Sequence, residues 1–375
     1  MTIPSRYRVR EIDSSKDLMK FIKLPWKIYH NDPQWTPPEI SRQRNFLDRS
    51  CNPFLKGHAK TCFFLLERGR EVIGRIVAID NFRHRKLYED GAGFFGFFEC
   101  IEDCEAAERL LGVAKDWLIK RGLKKMIGPT NFSSNDECGI LIEGFDSLPS
   151  LRVPYTHAAY ARFFEHFGLT KIKDLLVWTV DLSRPLPERM QRISSRIEVR
   201  GVLRLRRANP NAYERERALL KDVLLSAPVQ GWGELSWTEE EYHARADELR
   251  YLVIPDLFLV VEHGDNPVAF AISVPDYGPI LNQVSSQFGF INFISWMRFK
   301  KLSRMINRFR MFSLQIHRDY QRRGIESLLY MHTMRTAKGL GYRDAVVMVP
   351  EDYPITRQIK ELGGKVEKRL RIYGT

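Results

Sequence analysis

The sequence contains few cysteines and no long hydrophobic run. Its five cysteines lack paired C-x-x-C spacing and companion histidines, so the pattern excludes a zinc site and a small disulfide-rich scaffold. We therefore expect reduced thiols in a cytoplasmic protein, with no bound metal. The longest apolar run, residues 288–297, is about half as long as a membrane-spanning helix. Charged residues begin at Arg6 and no apolar stretch follows them, so we expect no signal peptide.

Acidic residues are absent from Tyr277 through Arg318, a segment that contains seven lysines and arginines. The whole chain of 375 residues has a formal net charge of +13, and its basic residues are spread over both halves. This charge makes nucleic acid, an anionic membrane surface or a phosphorylated ligand a candidate partner. With 44% hydrophobic residues, a chain of this length is expected to bury the cores of two domains.

The two halves of the sequence repeat one order of predicted elements. Gly69 and Gly264 lie in matching hairpin turns, and they are separated by the same number of residues as Gly168 and Gly363. The matched pairs are hairpins at 63–80 and 258–276, helices at 105–122 and 327–341, strands at 125–128 and 344–349, and final strands at 174–180 and 365–373. This shared βββαβαβ order predicts a duplicated unit, and a chance match of two α/β halves is the alternative.

We predict two domains, residues 1–190 and 191–375. A linker is predicted at 182–195, which contains two prolines and no long apolar face. Each half also carries extra residues between its matched elements, at 128–145 in the first and within the acid-free segment in the second. Such insertions are typical of binding loops.

A basic, glycine-containing turn joins a predicted strand at 311–316 to a predicted helix. A helix N-terminus presents unpaired backbone N–H groups and the positive end of its dipole, which favours a pyrophosphate. The arginines of the turn add charge-assisted hydrogen bonds, and the glycine allows close approach of the backbone. The candidate phosphate-binding residues are Gln321, Arg322, Arg323, Gly324, Ile325, Glu326 and Ser327.

This turn resembles motif A of the GCN5-related N-acetyltransferases (GNATs), the Q/R-x-x-G-x-G/A loop that holds coenzyme A. The resemblance implies that Leu314, Gln315 and Ile316 offer backbone groups to the pantetheine and the thioester. The sequence departs from the motif at Glu326, where glycine or alanine is usual. Since a carboxylate repels a pyrophosphate, Glu326 must turn outward or the phosphate geometry must differ. The alternative is an arginine-rich helix start that contacts only solvent.

A narrower resemblance covers most of the chain. It rests on GFFGFFE at 93–99, GPTNFSSNDECGILIEGF at 128–145, VPYTHAAY at 153–160, the region from Trp232 to Glu241, and VPEDYPITRQIKELGGKVEKRLRIY at 349–373. These segments are similar to a bacterial tandem GNAT family that includes the ceramide synthases, although Thr156 and Tyr353 stand where asparagine is expected. The resemblance implies an α/β (α+β) fold of two fused GNAT-like domains, with mixed, mostly antiparallel sheets flanked by helices.

The family resemblance also implies a reaction. Acyl-coenzyme A would serve as co-substrate, with no permanently bound cofactor, and the amine of a long-chain lipid would accept the acyl group. The first half has no glycine-rich basic loop, so we predict one coenzyme A site, in the second half. The alternative function is a non-catalytic acyl-coenzyme A sensor or a DNA-binding regulator, which Glu326 favours.

The catalytic residues are less evident. The tyrosine usual in the family is replaced by Ile359 in the second half and by Phe164 in the first. Proton transfer needs a side chain within hydrogen-bond reach of the amine or of the leaving thiolate. We therefore consider a strand-end carboxylate, a histidine and a loop tyrosine, with two further carboxylates from the first insertion; a purely structural role is the alternative for each. These candidates are Glu99, His317 and Tyr353, then Asp136 and Glu137.

The segment from Gln287 to Met311 combines aromatic residues with a basic run. Leu302, Met305, Ile306 and Phe309 recur at helical spacing, which predicts an interfacial helix on an anionic membrane. The alternative is a core-facing helix with a solvated basic face. No helix-turn-helix or zinc-finger pattern occurs, so nucleic acid is disfavoured. We predict a cytoplasmic N-acyltransferase, peripheral on the inner membrane face.

Overall fold

The computed structural model describes residues 6–229, 231–284, 299 and 301–375. In these residues the strands form one continuous mixed sheet, with helices packed on it. The strands are β1 (Arg8–Glu11), β2 (Ala59–Arg68), β3 (Glu71–Asn81), β4 (Ala92–Cys100), β5 (Lys125–Gly128), β6 (Ile140–Glu143), β7 (Thr170–Asp181), β8 (Leu203–Arg207), β9 (Phe258–His263), β10 (Asn266–Pro275), β11 (Arg308–Ile316), β12 (Asp344–Pro350) and β13 (Lys365–Gly374). The helices are α1 (Ser15–Ile28), α2 (Ile40–Leu47), α3 (Phe82–Tyr88), α4 (Cys104–Ile119), α5 (Ala159–His166), α6 (Glu188–Arg200), α7 (Tyr213–Ser226), α8 (Glu239–Leu249), α9 (Gly278–Val284), α10 (Ile325–Gly339) and α11 (Thr356–Glu361).

The main helices form where the sequence predicts them. The side chain of Asp103 caps α4 by accepting a hydrogen bond from the Ala106 N–H at 3.0 Å. Apolar residues at helical spacing then bury one face of α4 against β3. The buried residues are Ala106, Ala107, Leu110, Leu111, Ala114 and Leu118. The predicted helix at 105–122 and its counterpart at 327–341, now α10, are therefore confirmed.

The strand order along the sheet is β1-β2-β3-β4-β5-β13-β7-β12-β11-β10-β9-β8, and β6 pairs with β13 beside this path. The β4–β5 and β11–β12 pairs are parallel, and the other described pairs are antiparallel. The predicted fold class, with mixed and mostly antiparallel sheets flanked by helices, is confirmed.

The final strands of the two repeats are exchanged. β13, from the second repeat, lies between β5 and β7, and β7, from the first, lies between β13 and β12. Tyr373 is thus paired with Gly128, and Asp181 with Asp344. The division into residues 1–190 and 191–375 stays a prediction, and the sheet runs without a break across it.

A buried carboxylate lies at this central seam. Asp174 on β7 is 1% exposed, and its two oxygens accept hydrogen bonds from Arg371 on β13 at 2.8 and 3.1 Å. Arg369 lies 3.2 Å and Lys171 3.0 Å from the same carboxylate. Burial alone would raise the pKa of Asp174, but these cations outweigh it and hold the pKa below its usual value.

Both repeats contain the same parallel pair of strands. β4 and β5 pair over Ala92–Phe94 and Lys125–Ile127, and β11 and β12 pair over Arg308–Arg310 and Asp344–Val346. In the second repeat the pairing then stops, although both strands continue, so β11 and β12 separate from each other. Such a separation leaves backbone groups and space available to a ligand.

Two predictions about connecting segments are wrong. The predicted linker at 182–195 is helical from Glu188 onward, and α6 buries Met190 and Ser194 while packing against α10. The helical spacing from Leu302 to Phe309 does not form one helix, since β11 begins at Arg308 and Phe309 is buried. Tertiary pairing with β10 and β12 overrides the local pattern there. The rest of the predicted interfacial helix, residues 287–298 and 300, lies outside the described residues.

Candidate functional site

A cavity of about 400 Å³ lies where β11 and β12 separate. Its walls come from these strands, from α7 and α8, and from the first-repeat insertion at 134–138. The volume falls in the range of roughly 300–1,000 Å³ that is typical of ligand pockets. Its apolar walls include Leu220, Leu224, Trp232, Trp237, Phe258, Phe270, Ile272, Met311, Phe312 and Val347.

A β-bulge interrupts β11 at the edge of this cavity. Ile272 is paired with Ser313 and Ser273 with Met311, so Phe312 has no register partner on β10. Phe312 and Ser313 both line the cavity, together with the predicted coenzyme A residues Leu314 and Gln315. Ile316, predicted with them, is buried beyond the cavity.

The equivalent space in the first repeat is filled by the protein itself. The Thr130 N–H donates to the Phe95 carbonyl at 2.8 Å, and Gly96 is required because a Cβ there would lie 1.9 Å from the Thr130 oxygen. At the matching bulge, the Phe97 N–H donates to Oδ1 of Asn131 at 3.0 Å. The first repeat therefore fills with its own residues the gap that the second repeat leaves open. The absence of a phosphate loop from the first repeat does not by itself predict this filling.

The first-repeat insertion is locked onto the second half of the chain by reciprocal hydrogen bonds. Asn135 donates from Nδ2 to the Leu235 carbonyl at 2.8 Å and accepts from the Leu235 N–H at 3.2 Å. The Ser134 hydroxyl also donates to the Gly233 carbonyl. These contacts fix the insertion as one wall of the cavity.

A carboxylate of this insertion faces the cavity. Oδ1 of Asp136 accepts from Nη2 of Arg245 on α8 at 2.8 Å, and Oδ2 accepts from the Ser133 hydroxyl at 3.1 Å. Burial raises the pKa of Asp136 to about 6, although Arg245 opposes the shift. Asp136 is thus a carboxylate that changes protonation close to neutral pH.

Two further charged side chains line the same cavity. Burial raises the pKa of Glu137, and its carboxylate lies 3.4 Å from Nδ2 of Asn131. Arg310, on β11, is 6% exposed and donates to the Leu151 carbonyl. Burial lowers the pKa of Arg310 to about 10, while Asp276 and Glu137 oppose the shift. Arg310 therefore remains a cation at neutral pH. Because it is buried, it does not belong to a solvated basic face, which corrects the prediction made for the basic run between Gln287 and Met311.

The predicted phosphate loop begins where β11 ends. Gly324 is the N-cap of α10, with φ of +81°, and no described side chain caps the first turn of the helix. An added Cβ at Gly324 would lie 2.5 Å from Ile193 Cγ2 on α6, so only glycine fits. Arg322 and Arg323 are exposed beside this open helix end, and Arg323 is held by the Asp319 carbonyl at 2.8 Å.

The other predicted phosphate residues have mixed surroundings. Gln321 donates to the Ile316 carbonyl at 2.6 Å, which ties the loop to the strand. Ile325 and Ser327 are buried in the first turn of α10, whereas Glu326 is half-buried. The open backbone N–H groups and the two arginines therefore fit a diphosphate.

The three predicted catalytic side chains lie in different places. Tyr353 lines the cavity, and burial raises its pKa to about 12. His317 is half-buried at the end of β11, where its Nδ1 accepts from the Asp319 N–H at 3.3 Å. Glu99 lies away from the cavity, where Tyr29 and Tyr160 donate to it at 2.7 and 2.8 Å. Of these three side chains, Tyr353 is thus the one that lines the described cavity.

Several cavity residues were missed by the sequence reasoning. Tyr242 and Arg245 lie on α8, and Trp237 precedes this helix. Their spacing in the sequence is that of an ordinary surface helix with one buried face. Tyr330, which is buried on α10, also reaches the cavity. The positions usually occupied by the family tyrosine, Phe164 and Ile359, are core residues. Trp237 lies within the region from Trp232 to Glu241 that carries the family resemblance, whereas no sequence pattern marks Tyr242, Arg245 or Tyr330, which the tertiary fold alone brings to the cavity.

Two kinds of feature are absent from the described part of the chain. No helix there has the length and apolar character needed to cross a membrane. No group of three or more metal-ligating side chains there is arranged to hold a metal ion.

The chain is similar in sequence to known bacterial proteins. The chain is 27% identical to protein YghO of Escherichia coli, over 97% of this chain and 94% of that protein. It is 31% identical to the bacterial ceramide synthase of Caulobacter vibrioides, over 64% of this chain and 63% of that protein. No protein-family model matches the chain.

Solved structures show the same fold. A tandem GNAT protein from the clavulanic acid biosynthesis pathway has a TM-score of 0.52 at 10% identity, over 98% of both chains. A GCN5-related glucosamine N-acetyltransferase region of a fungal β-N-acetylglucosaminidase has a TM-score of 0.52 at 12% identity and matches 38% of that protein. The comparisons support the prediction of an acyltransferase. The chain therefore has the tandem GNAT fold and is homologous to the bacterial ceramide synthase, as the sequence resemblance predicts.

Proposed function

We propose that the protein transfers a fatty acyl group from acyl-coenzyme A to the amine of a long-chain lipid. The observation that carries this proposal is the cavity between β11 and β12, which β11 connects directly to the open N-terminus of α10. Diphosphate would bind the helix end and the two arginines. The pantetheine would then follow β11, so that its thioester reaches the bulge at Phe312.

The cavity offers groups for each step of the transfer. Asp136 would take a proton from the ammonium group, and the neutral amine would attack the thioester carbonyl to form a new C–N bond. Backbone N–H groups at the bulge would stabilise the negative charge that develops on the carbonyl oxygen. As the C–S bond breaks, Tyr353 would donate a proton to the leaving thiolate, and the tyrosinate so formed would take the second proton from the amine nitrogen, which leaves a neutral amide; burial raises the pKa of Tyr353 and keeps it protonated before this step.

The lining of the cavity supports a lipid acceptor. Aromatic and aliphatic side chains form most of its walls, and the carboxyl groups of Asp136 and Glu137 also line it. An amphiphilic amine would place its ammonium group at these carboxylates and its chain along the apolar walls. The ceramide synthase homologue supports the same acceptor class.

The proposal predicts amide formation by the purified protein. We expect labelled palmitoyl-coenzyme A and sphinganine to yield a labelled amide, measured by chromatography. Changing both Arg322 and Arg323 to glutamine should weaken coenzyme A binding roughly tenfold or more, because each charge-assisted hydrogen bond contributes about 1.5–3 kcal/mol. Arg357→Gln, at an exposed position on α11, is the matched control.

The outcomes separate the two candidate functions. Amide product with normal binding in the Arg357 variant would support the transferase. Binding of acyl-coenzyme A without turnover of any amine would favour the sensor instead. A protein that neither binds coenzyme A in calorimetry nor forms product contradicts the proposal.

We also infer that the basic segment before β11 contacts an anionic membrane, which would present the lipid substrate. The support is the sequence pattern of the segment together with Met305, which is 72% exposed beside it. Flotation with vesicles should require anionic lipid, and changing Arg298, Lys300 and Lys301 to glutamate should reduce the bound fraction severalfold. Equal flotation on neutral vesicles, or no effect of the substitutions, would contradict this inference.

A further inference from the structure

A second cavity lies beside the first. It has a volume of about 180 Å³ and is formed by the segment after β8, the start of α7 and the loop from α8 to β9. Three side chains line both cavities: Tyr213, Val253 and Phe258. These three side chains therefore form a shared wall, which we call the partition.

The partition is at the far end of the larger cavity from the proposed thioester position. The larger cavity extends from Val347 on β12, past the β11 bulge and Phe270 on β10, to Phe258 at the start of β9. Since β12, β11, β10 and β9 are consecutive neighbours in the sheet, the cavity spans four neighbouring strands. A chain that starts at the thioester and runs along it would end against Phe258.

The second cavity is chemically suited to an aliphatic chain. Its acidic residue, Glu216, is 5% exposed and is paired with Arg206 at 2.6 Å, so its charge is neutralised within the protein. Ala208, Pro210 and Pro255 add apolar surface. Burial of each further methylene group would favour binding by roughly fourfold.

The three side chains of the partition are not equally fixed. The Tyr213 hydroxyl donates to the Ala246 carbonyl at 2.6 Å, and the Arg250 guanidinium lies 5.1 Å from its ring centroid. Phe258 is held by apolar packing, with its ring in edge contact with Phe270 at 6.5 Å. Phe258 is thus the larger of the two apolar side chains of the partition, and removing its ring would join the two cavities without loss of a side-chain hydrogen bond.

We propose that the partition, and Phe258 above all, sets the maximum length of the aliphatic chain that the cavity accepts. This inference rests on the proposed function, since the chain is that of the acyl donor or of the lipid amine. Removing the Phe258 ring would connect the two cavities and admit the end of a longer chain into the second. The partition thus determines specificity for chain length, although it lies away from the reacting atoms.

The test compares chain-length profiles of wild type, Phe258→Ala and Phe270→Ala. Calorimetry measures binding of a saturated acyl-coenzyme A series, and separately of a long-chain primary amine series, while turnover is measured over the same acyl series. For wild type we expect affinity to rise with length and then level off. Phe258→Ala should move that limit to longer chains in one series, which identifies the chain concerned, and raise the preference for the longer chain by roughly tenfold.

The Phe270 variant is the matched control, because Phe270 lines only the larger cavity: its removal enlarges that cavity and loosens the packing of Phe258, but it does not open a connection to the second cavity. If Phe258→Ala does not fold, as judged by circular dichroism, Phe258→Leu and Val253→Ala test the same wall. A folded Phe258 variant with the wild-type limit in both series overturns the inference. If no coenzyme A ester binds the wild-type protein, the proposed function is contradicted, and the amine series still tests the partition. If neither the esters nor the amines bind, the proposed function and the inference about the partition are both overturned.

Discussion

Replacing Asp136 with asparagine is expected to lower kcat by roughly 10²- to 10⁴-fold, the usual contribution of a positioned general base. The amide cannot accept the proton of the ammonium group, so the amine would remain protonated and unable to attack. The change conserves size, and the amide oxygen can still accept from Arg245 while the amide NH₂ donates to the Ser133 hydroxyl, at the positions where the carboxylate accepts at 2.8 and 3.1 Å. Acyl-coenzyme A affinity should therefore change little, and single-turnover rates would measure the effect on chemistry.

The pH profile gives an independent test of the same role. The pKa of Asp136 is raised to about 6, so the carboxylate is ionised and competent above that pH and protonated below it. The wild-type kcat should consequently fall as pH decreases through about 6. This acidic limb should disappear in Asp136→Asn.

Two neighbouring substitutions distinguish a base from a merely structural carboxylate. Glu137→Gln, at the adjacent position, should retain the acidic limb. Arg245→Gln removes the cation that lowers the pKa of Asp136, so it should move the limb to higher pH. An Asp136→Asn protein that works at the wild-type rate, or that keeps the limb, contradicts the assignment.

Replacing Asp174 with alanine is expected to lower the free energy of unfolding by about 3–5 kcal/mol, the usual effect of breaking a buried ion pair. The substitution would leave Arg371 and Arg369 without their shared carboxylate at the seam between β7 and β13. Urea denaturation followed by tryptophan fluorescence measures the loss. The matched control is Asp352→Ala, because Asp352 pairs with Lys173 near the same strands but is 67% exposed, and it should cost less than about 1 kcal/mol.

The contribution of Asp174 should depend on pH in a defined direction. Its pKa is lowered in the folded protein relative to the ordinary value of 3.8. The stabilisation is therefore fully present above about pH 4 and is lost as pH falls through the lower, folded-state pKa. The stability difference between wild type and Asp174→Ala should narrow in that acidic range. A difference below about 1 kcal/mol at neutral pH would contradict the assigned role.

Local patterns predicted the elements but not their pairing. Residues 125–128 and the helix at 105–122 are found close to where their patterns place them, because capping, apolar spacing and turns are local properties. The exchange of β7 and β13 has no local signal, since either final strand fits either repeat equally well by its apolar pattern. The exchange is seen only in pairings between residues distant in sequence, β5 with β13 and β7 with β12.

The candidate site likewise contains residues that a sequence pattern predicts and residues that only the tertiary fold brings together. The turn at Arg322, Arg323 and Gly324 has a sequence signature because a diphosphate contacts consecutive residues. The carboxylate of Asp136 and the guanidinium of Arg245 belong to different halves of the chain and meet only after the insertion docks on α8. For Glu99, the position at the end of a strand predicts an available carboxylate, whereas in the structure Tyr29 and Tyr160 donate hydrogen bonds to it.

The exchange of the final strands has a consequence for folding during synthesis. β5 is paired with β13, and the Met126 N–H donates to the Thr375 hydroxyl across 249 residues of sequence. A ribosome would therefore release β5 long before its partner strand exists, leaving a hydrogen-bonding edge open in the nascent chain. Open edges of this kind are prone to pairing with other chains. Chaperone demand should thus be greatest while the second repeat is being translated, and it should end when β13 leaves the exit tunnel.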